Sequence, residues 1–303
     1  MLLVCFTATN ALAQTAKPQT RKERIAAARA AAAQRAAKRA EAARASRFAV
    51  EAKQLTILSR ALKNEKKPGA AYRRLTSFAK RYSKEELGAR AALALGYYDF
   101  NQSRYPEARR WLDAAKPETL LADYVLFWSA QVDRNLGNLP AALDQLESLR
   151  RDYPQSVMRD LALQALSEAA IAANQPQRAL TALAQSQGFD KNPKLLFLRA
   201  QAYEQSGDKI AAAGDYLSVY DNFPLSTSAP EAGEKANYFQ GVLGDAFPKP
   251  TVAERLARAG ILFDAHHWQD AQNAYSQALP ELAGPDQELA QVRIADCAVQ
   301  LGG

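Results

Sequence analysis

The chain is poor in the residues from which reactive centres are most often assembled. Its 303 residues hold two cysteines, two histidines and two methionines. The cysteines, Cys5 and Cys297, stand near opposite ends and cannot form the disulfide framework of a small secreted domain. There is no Gly-rich phosphate loop, no Cys-x-x-Cys pair and no Ser-His-Asp set. Past the first fourteen residues no apolar run is long enough to span a membrane. Valine and isoleucine never gather into the alternating runs that mark strands. These absences leave no catalytic residue, no metal ligand and no cofactor to assign, and they point away from enzymes toward binding and assembly.

What is present is helix-forming material, chiefly alanine and leucine with few glycines. The formal charge is +7, and its distribution says more than its total. Residues 15–48 carry ten Lys and Arg against Glu23 and Glu41, while the remainder is close to neutral. The basicity therefore belongs to an arm, and no nucleic-acid face is expected on the body. Residues 14–47 are an Ala-rich basic stretch, helical or disordered, with Ile25 as its one large aliphatic. A helix starting near Arg21 would have no apolar stripe to bury, so it reads as a charged tether or as an element drawn to an anionic polymer or lipid surface. Before it, residues 1–13 are apolar and end in Ala11-Leu12-Ala13, which reads as a secretory signal lacking its basic n-region. Export to the periplasm or cell envelope is the expectation, with no transmembrane segment in the mature chain. Val4 is too bulky for Cys5 to read as a lipid-attachment site, and Cys297 lies on an apolar-periodic segment and reads as core.

From Phe48 the apolar spacing becomes helical: Phe48, Ala52, Leu55, Leu58 and Leu62, then Ala71, Leu75, Phe78 and Tyr82 beyond a Lys66-Lys67-Pro68-Gly69 break. Shifting the second of these helices by 71 residues lays it on Ala142, Leu146, Leu149 and Tyr153, which is two repeats of a helix pair. Related sets recur: Leu95, Gly96, Ala108, Leu112 and Ala115; then Ala130, Gly137, Ala142, Leu146 and Pro154. After a weaker unit with Leu166, Ala179 and Leu183 come Ala200, Tyr203, Gly207, Ala212, Tyr216 and Pro224. This pattern resembles the tetratricopeptide repeat. The resemblance implies an all-α superhelical solenoid over residues 48–224. Small residues let the helices of a pair cross closely, Leu112, Leu146 and Tyr216 fill toward the next pair, and Pro154 and Pro224 stop the second helix.

Residues 225–250 fit one extra helix at about 229–243 and a Pro-rich loop. Residues 251–303 hold a further hairpin, with Ala259, Ala271, Tyr275 and Ala278 at repeat positions, and then a first helix without its partner. The expectation is that the natural protein continues beyond Gly303. From Tyr220-Asp221-Asn222-Phe223-Pro224 through Phe247-Pro248-Lys249-Pro250 to the segment around His266, the sequence also resembles the superhelical, non-catalytic domain of bacterial soluble lytic murein transglycosylases. That resemblance implies a periplasmic setting and peptidoglycan as a ligand. The family's Glu-Ser motif with a following Gly-Leu-Met-Gln stretch is absent, and Ser167-Glu168-Ala169 has the reverse order inside a repeat helix.

In tetratricopeptide arrays the first helices line a concave groove that holds peptides. The inward positions here are Arg90, Tyr97 and Asn101; Tyr124, Gln131, Arg134 and Asn135; Gln164 and Glu168; and Lys194, Gln201 and Glu204. Phe127 and Phe197 either join them or belong to the inter-repeat core. Arg134 and Asn135 are expected at the centre of the groove. His266-His267, with Asp264 and Asp270 nearby, reads as a polar turn with Trp268 packing inward, because adjacent histidines on a turn rarely chelate together. The function so indicated is that of a non-catalytic scaffold of the bacterial cell envelope binding a protein or peptide. The alternative is the superhelical part of a lytic transglycosylase, and a third possibility is an assembly factor for outer-membrane or division complexes.

Overall fold

The computed structural model describes residues 20–64 and 69–302. The signal reading of residues 1–13 and the Lys66-Lys67-Pro68 break lie outside the described residues. Fourteen α-helices and no strands make up the described chain. They are α1 (Arg21–Asn64), α2 (Gly69–Arg81), α3 (Glu86–Asn101), α4 (Tyr105–Ala115), α5 (Ala122–Asn135), α6 (Leu139–Asp152) and α7 (Arg159–Ala172). The series continues with α8 (Pro176–Ala184), α9 (Pro193–Ser206), α10 (Lys209–Asn222), α11 (Ala229–Leu243), α12 (Val252–Asp264), α13 (Trp268–Ala278) and α14 (Pro285–Gln300).

Neighbours in sequence pack together except at α11 and α12, where α12 meets α10 instead: α3 packs on α4, α5 on α6, α7 on α8, α9 on α10 and α12 on α13, with each pair leaning on the next. First helices of successive pairs also touch one another, as α1–α3, α3–α5, α5–α7 and α7–α9. No comparable packing joins the second helices among the described residues. Long arginines bridge that wider side instead. Arg178 of α8 reaches Glu147 and Asp144 of α6 (2.7 and 3.1 Å), and Arg150 of α6 donates to Ser186 beyond α8 at 2.9 Å. A stack that is tight along its first helices and open along its second helices curves with the first helices inside. This is an all-α superhelical solenoid.

The repeat positions explain the stacking. Ala108, Ala142, Ala179, Ala212 and Ala271 are all fully buried at the helix crossings, as are Leu112, Leu146, Leu183 and Tyr216 one turn further on. Gly96 is needed for its size: a Cβ there would stand 2.7 Å from Leu112 Cγ. Cys297 is a fully buried core residue, and burial pushes its thiol pKa up. On α14, which packs on α13, Leu289, Val292 and Val299 remain exposed.

One turn geometry closes five of the hairpins. The residue after the first helix's last turn is left-handed at Ser103, Gly137, Asn174, Gly207 and His266. The following N–H donates back five residues in every case: Arg104 to Asp99, Asn138 to Asp133, Gln175 to Ala170, Asp208 to Tyr203 and His267 to Leu262, at 2.8–3.0 Å. This is the Schellman closure, which satisfies carbonyls the helix end would otherwise orphan. Gly137 and Gly207 adopt it freely, whereas Ser103, Asn174 and His266 do so against steric cost. His266 is thus the turn residue of the last complete hairpin, and Trp268 packs edge-on against Phe263 at 5.2 Å.

The expected basic arm at 14–47 and the repeat region starting at 48 share one helix. Helix α1 runs unbroken from Arg21 to Asn64, and every residue from 21 to 50 is exposed, Phe48 included. Alanine, arginine and lysine favour helix whether or not packing supports them, so the transition shows only in burial, which starts at Glu51 and Leu55. Ser103→Gly should relieve the strained turn at an exposed site. It is expected to raise stability by about 0.5–1 kcal/mol, read as a higher midpoint in urea unfolding, and a lower midpoint would contradict the assignment.

Candidate binding groove

The inner face is built from α3, α5, α7 and α9. On α3, Tyr97 is half exposed and its ring meets Trp128 of α5 edge-on at a centroid distance of 4.7 Å. Trp128 also packs against Phe100 (5.2 Å) and Phe127 (5.1 Å), so an aromatic seam joins the first helices of two successive pairs. Asn101 and Asn135 sit one repeat apart and do the same thing. Each exposed amide donates Nδ2 to the carbonyl four residues back, Tyr97 and Gln131 respectively, at 2.8 Å. That bond occupies the amide N–H and leaves the amide oxygen without a partner among the described residues.

Further along, Arg134 of α5 donates to Glu168 of α7 at 2.8 Å, and Lys194 of α9 stands 3.7 Å from the other oxygen of Glu168. Gln164 donates to that oxygen at 2.9 Å. Three first helices are thereby linked by one partly exposed polar chain. Tyr124 and Gln131 on α5 and Gln201 on α9 are half-buried, Tyr124 against the core around Leu112 and Val125. Arg90 is held between Glu86 and Glu118, and Glu118 is buried and accepts the N–H groups of Leu120 and Leu121, which shapes the entry to α5.

Glu204 differs from its expected role, and the alternative left open for two phenylalanines closes. Glu204 does not offer a free carboxylate, since one oxygen accepts the Tyr216 hydroxyl at 2.6 Å and the other the Lys235 ammonium at 2.7 Å. It fastens α9 to α10 and α11, and burial together with Glu204 pushes the Tyr216 hydroxyl pKa well up. Phe127 and Phe197, left open between groove and core, are both core, at 5% and 3% exposure. The residue that reaches toward the groove on α5 is Trp128, which follows Tyr124 by four and precedes Gln131 by three. Helical spacing from Tyr124 could have found it.

The deeper polar positions follow another repeat that sequence reasoning passed over. Asp99 and Asp133, 34 residues apart on α3 and α5, are both buried. Asp99 accepts from Tyr72 of α2 (2.8 Å) and Arg104 (3.0 Å), and Asp133 accepts from Arg109 of α4 and Gln145 of α6 (2.8 Å). Each acid ties its own hairpin to the preceding one, and the equal spacing was the available signal. Asp215 on α10 is likewise buried and takes both its bonds from Arg199, at 2.6 Å each. Burial pushes the Asp215 carboxyl up against the pull of that guanidinium.

Among the described residues, no three His, Cys, Asp or Glu are placed to hold a metal ion, and no helix is long and apolar enough to cross a membrane. No family model and no curated protein matches the chain. Among solved structures it is similar to a tetratricopeptide repeat protein from Parabacteroides merdae, with a TM-score of 0.53 and 15% identity, covering 82% of this chain and 99% of that one. The fold is therefore tetratricopeptide-like. A second match, the assembly chaperone of RpL4 (Acl4), has a TM-score of 0.32 and 14% identity over 83% of this chain and 99% of that one, too loose a superposition to bear on the fold.

The two kinds of ion pair should respond differently to substitution. Arg199→Ala leaves Asp215 buried without a donor and is expected to cost about 3 kcal/mol. Glu168→Gln, at a solvent-reached position, is expected to cost less than about 1 kcal/mol. Chemical denaturation of the two variants checks both, and equal losses would contradict the division.

Proposed function

We propose that this protein is a non-catalytic scaffold that holds an extended peptide segment of a partner protein along the inner face of its solenoid. The observation that carries this reading is the continuity of that face. Aromatic edges at Tyr97 and Trp128, amide acceptors at Asn101 and Asn135, and the Arg134–Glu168–Lys194 chain follow one another along successive first helices. An extended backbone has a donor and an acceptor at every residue, and a row of amides and charges at repeat spacing suits it. The polar chain is cheap to open because its members are partly in water, so a ligand could take over its bonds at little cost. The tetratricopeptide-like fold supports the choice of the inner face. The place of action we propose is the cell envelope, on the strength of the apolar start and Ala11-Leu12-Ala13 alone.

Peptidoglycan is the competing ligand, and one experiment separates the two. The protein is immobilised and offered envelope extract on the one hand and purified murein on the other. A protein partner should be captured by the wild type and lost from the variant carrying Arg134→Ala with Asn135→Ala. Unchanged capture by that variant removes the groove reading, and retention of murein with no protein captured replaces the ligand class.

A further inference from the structure

A second site lies away from the inner face, where the array meets its C-terminal hairpin. Helices α10, α11, α12 and α13 enclose a cavity of about 420 Å³, closed on one side by the loop at Phe247–Pro250. That volume is within the range of pockets that hold small molecules. Asp221, on the last turn of α10, lines this cavity, is 6% exposed and accepts no hydrogen bond from any described residue. Its position is costly twice over, since a carboxylate is withdrawn from water and placed at the negative end of a helix. Burial raises its carboxyl to about 6 although Arg258 pulls the other way.

The cations around it are directed elsewhere or left with capacity to spare. Arg258 lies over the Tyr220 ring at 3.9 Å and donates Nε to the Tyr220 carbonyl at 3.3 Å. Arg255 pairs with Glu281 at 2.6 Å through one terminal nitrogen, and its Nε is buried without an acceptor among the described residues. Lys249 is exposed on the loop that forms the rim and makes no ion pair with a described residue. Of the other acids, Glu281 lines the cavity paired with Arg255, and Glu254 is taken up by the capping box with Thr251 that starts α12. One cavity thus holds a carboxylate with no hydrogen bond from a described residue, a guanidinium with one N–H unused, and at its rim an ammonium without an ion pair. Buried polar groups are ordinarily satisfied, and a set of opposite kinds left open in one place is the pattern of a ligand pocket.

We propose that this cavity binds a small zwitterion of the amino-acid or short-peptide class, its ammonium on Asp221 and its carboxylate toward Lys249 and the Arg255 guanidinium. Phe247, Ala236 and Ala274 wall the cavity and suit an aliphatic side chain between the two charged ends. The site is separate from the inner face and does not depend on the groove reading.

The test is calorimetric titration of the full chain at neutral pH with the dipeptide Ala-Ala bearing both free termini. Its N-acetylated and C-amidated forms are titrated in parallel. The free dipeptide should bind, and each blocked form should bind about tenfold or more weakly, as loss of one charge-assisted hydrogen bond implies. Asp221→Asn should weaken the free dipeptide by a similar factor. That exchange removes a buried charge and should leave the melting temperature at pH 7 unchanged or higher, so a loss of binding is not a loss of fold. Lys249→Ala, at an exposed position, should weaken binding without touching the core. The groove variant with Arg134→Ala and Asn135→Ala should bind the dipeptide as the wild type does. Absence of heat at millimolar free dipeptide, equal binding of the blocked forms, or loss of dipeptide binding in the groove variant would each overturn the assignment.

Discussion

No helical pair in this protein can cover its own apolar face, and most of the structure follows from that. Ala108 and Leu112 of one hairpin, or Ala142 and Leu146 of the next, reach full burial only because a neighbouring pair lies against them. A helix of eleven to sixteen residues is marginal by itself in water, so its stability comes from the stack. The small residues at the crossings set how closely two helices approach. Gly96 marks the limit, since one added methyl would meet Leu112.

The close approach of the first helices and the wider spacing of the second helices then divide the polar chemistry in two. Between second helices the gap is spanned by long arginines, Arg150 and Arg178, whose stems cover apolar surface while their heads find partners on the next pair. Between first helices the distances are short, and single carboxylates such as Glu168 suffice to bridge. Beneath both run Asp99, Asp133 and Asp215, buried acids that each accept at least two hydrogen bonds and tie helix to helix. Asp221 stands apart from these because it takes no hydrogen bond from a described residue. The same residue type is structural in three places and open in one, and the difference lies wholly in what surrounds it.

Much of the repeat architecture was legible. The 34-residue spacing of small residues, the turn glycines at 137 and 207 and the terminating prolines read directly, because backbone sterics act locally. Other positions were hidden for physical reasons. Ser103, Asn174 and His266 do the work of glycine in their turns, and nothing in those side chains announces a left-handed backbone that the hairpin imposes. Phe127 and Trp128 are adjacent aromatics about 100° apart on one helix, and a small error in helical phase exchanges groove for core. The continuity of α1 past residue 48 was hidden because helix propensity is the same on both sides and only burial changes.

By itself the amino-acid order determined that the chain is helical, that its helices pair and that the pairs stack, since composition, periodicity and turn chemistry operate over a few residues. Only the tertiary structure decided which side chains the stack consumes. Glu204 looks like a groove carboxylate in the sequence and is occupied by Tyr216 and Lys235, from helices further along the chain. Asp221 looks like an ordinary helix-end acid and lines a cavity among four helices with no hydrogen bond from a described residue. A carboxylate becomes a strut or a binding group according to the donors that folding brings to it, and those come from residues far off in sequence.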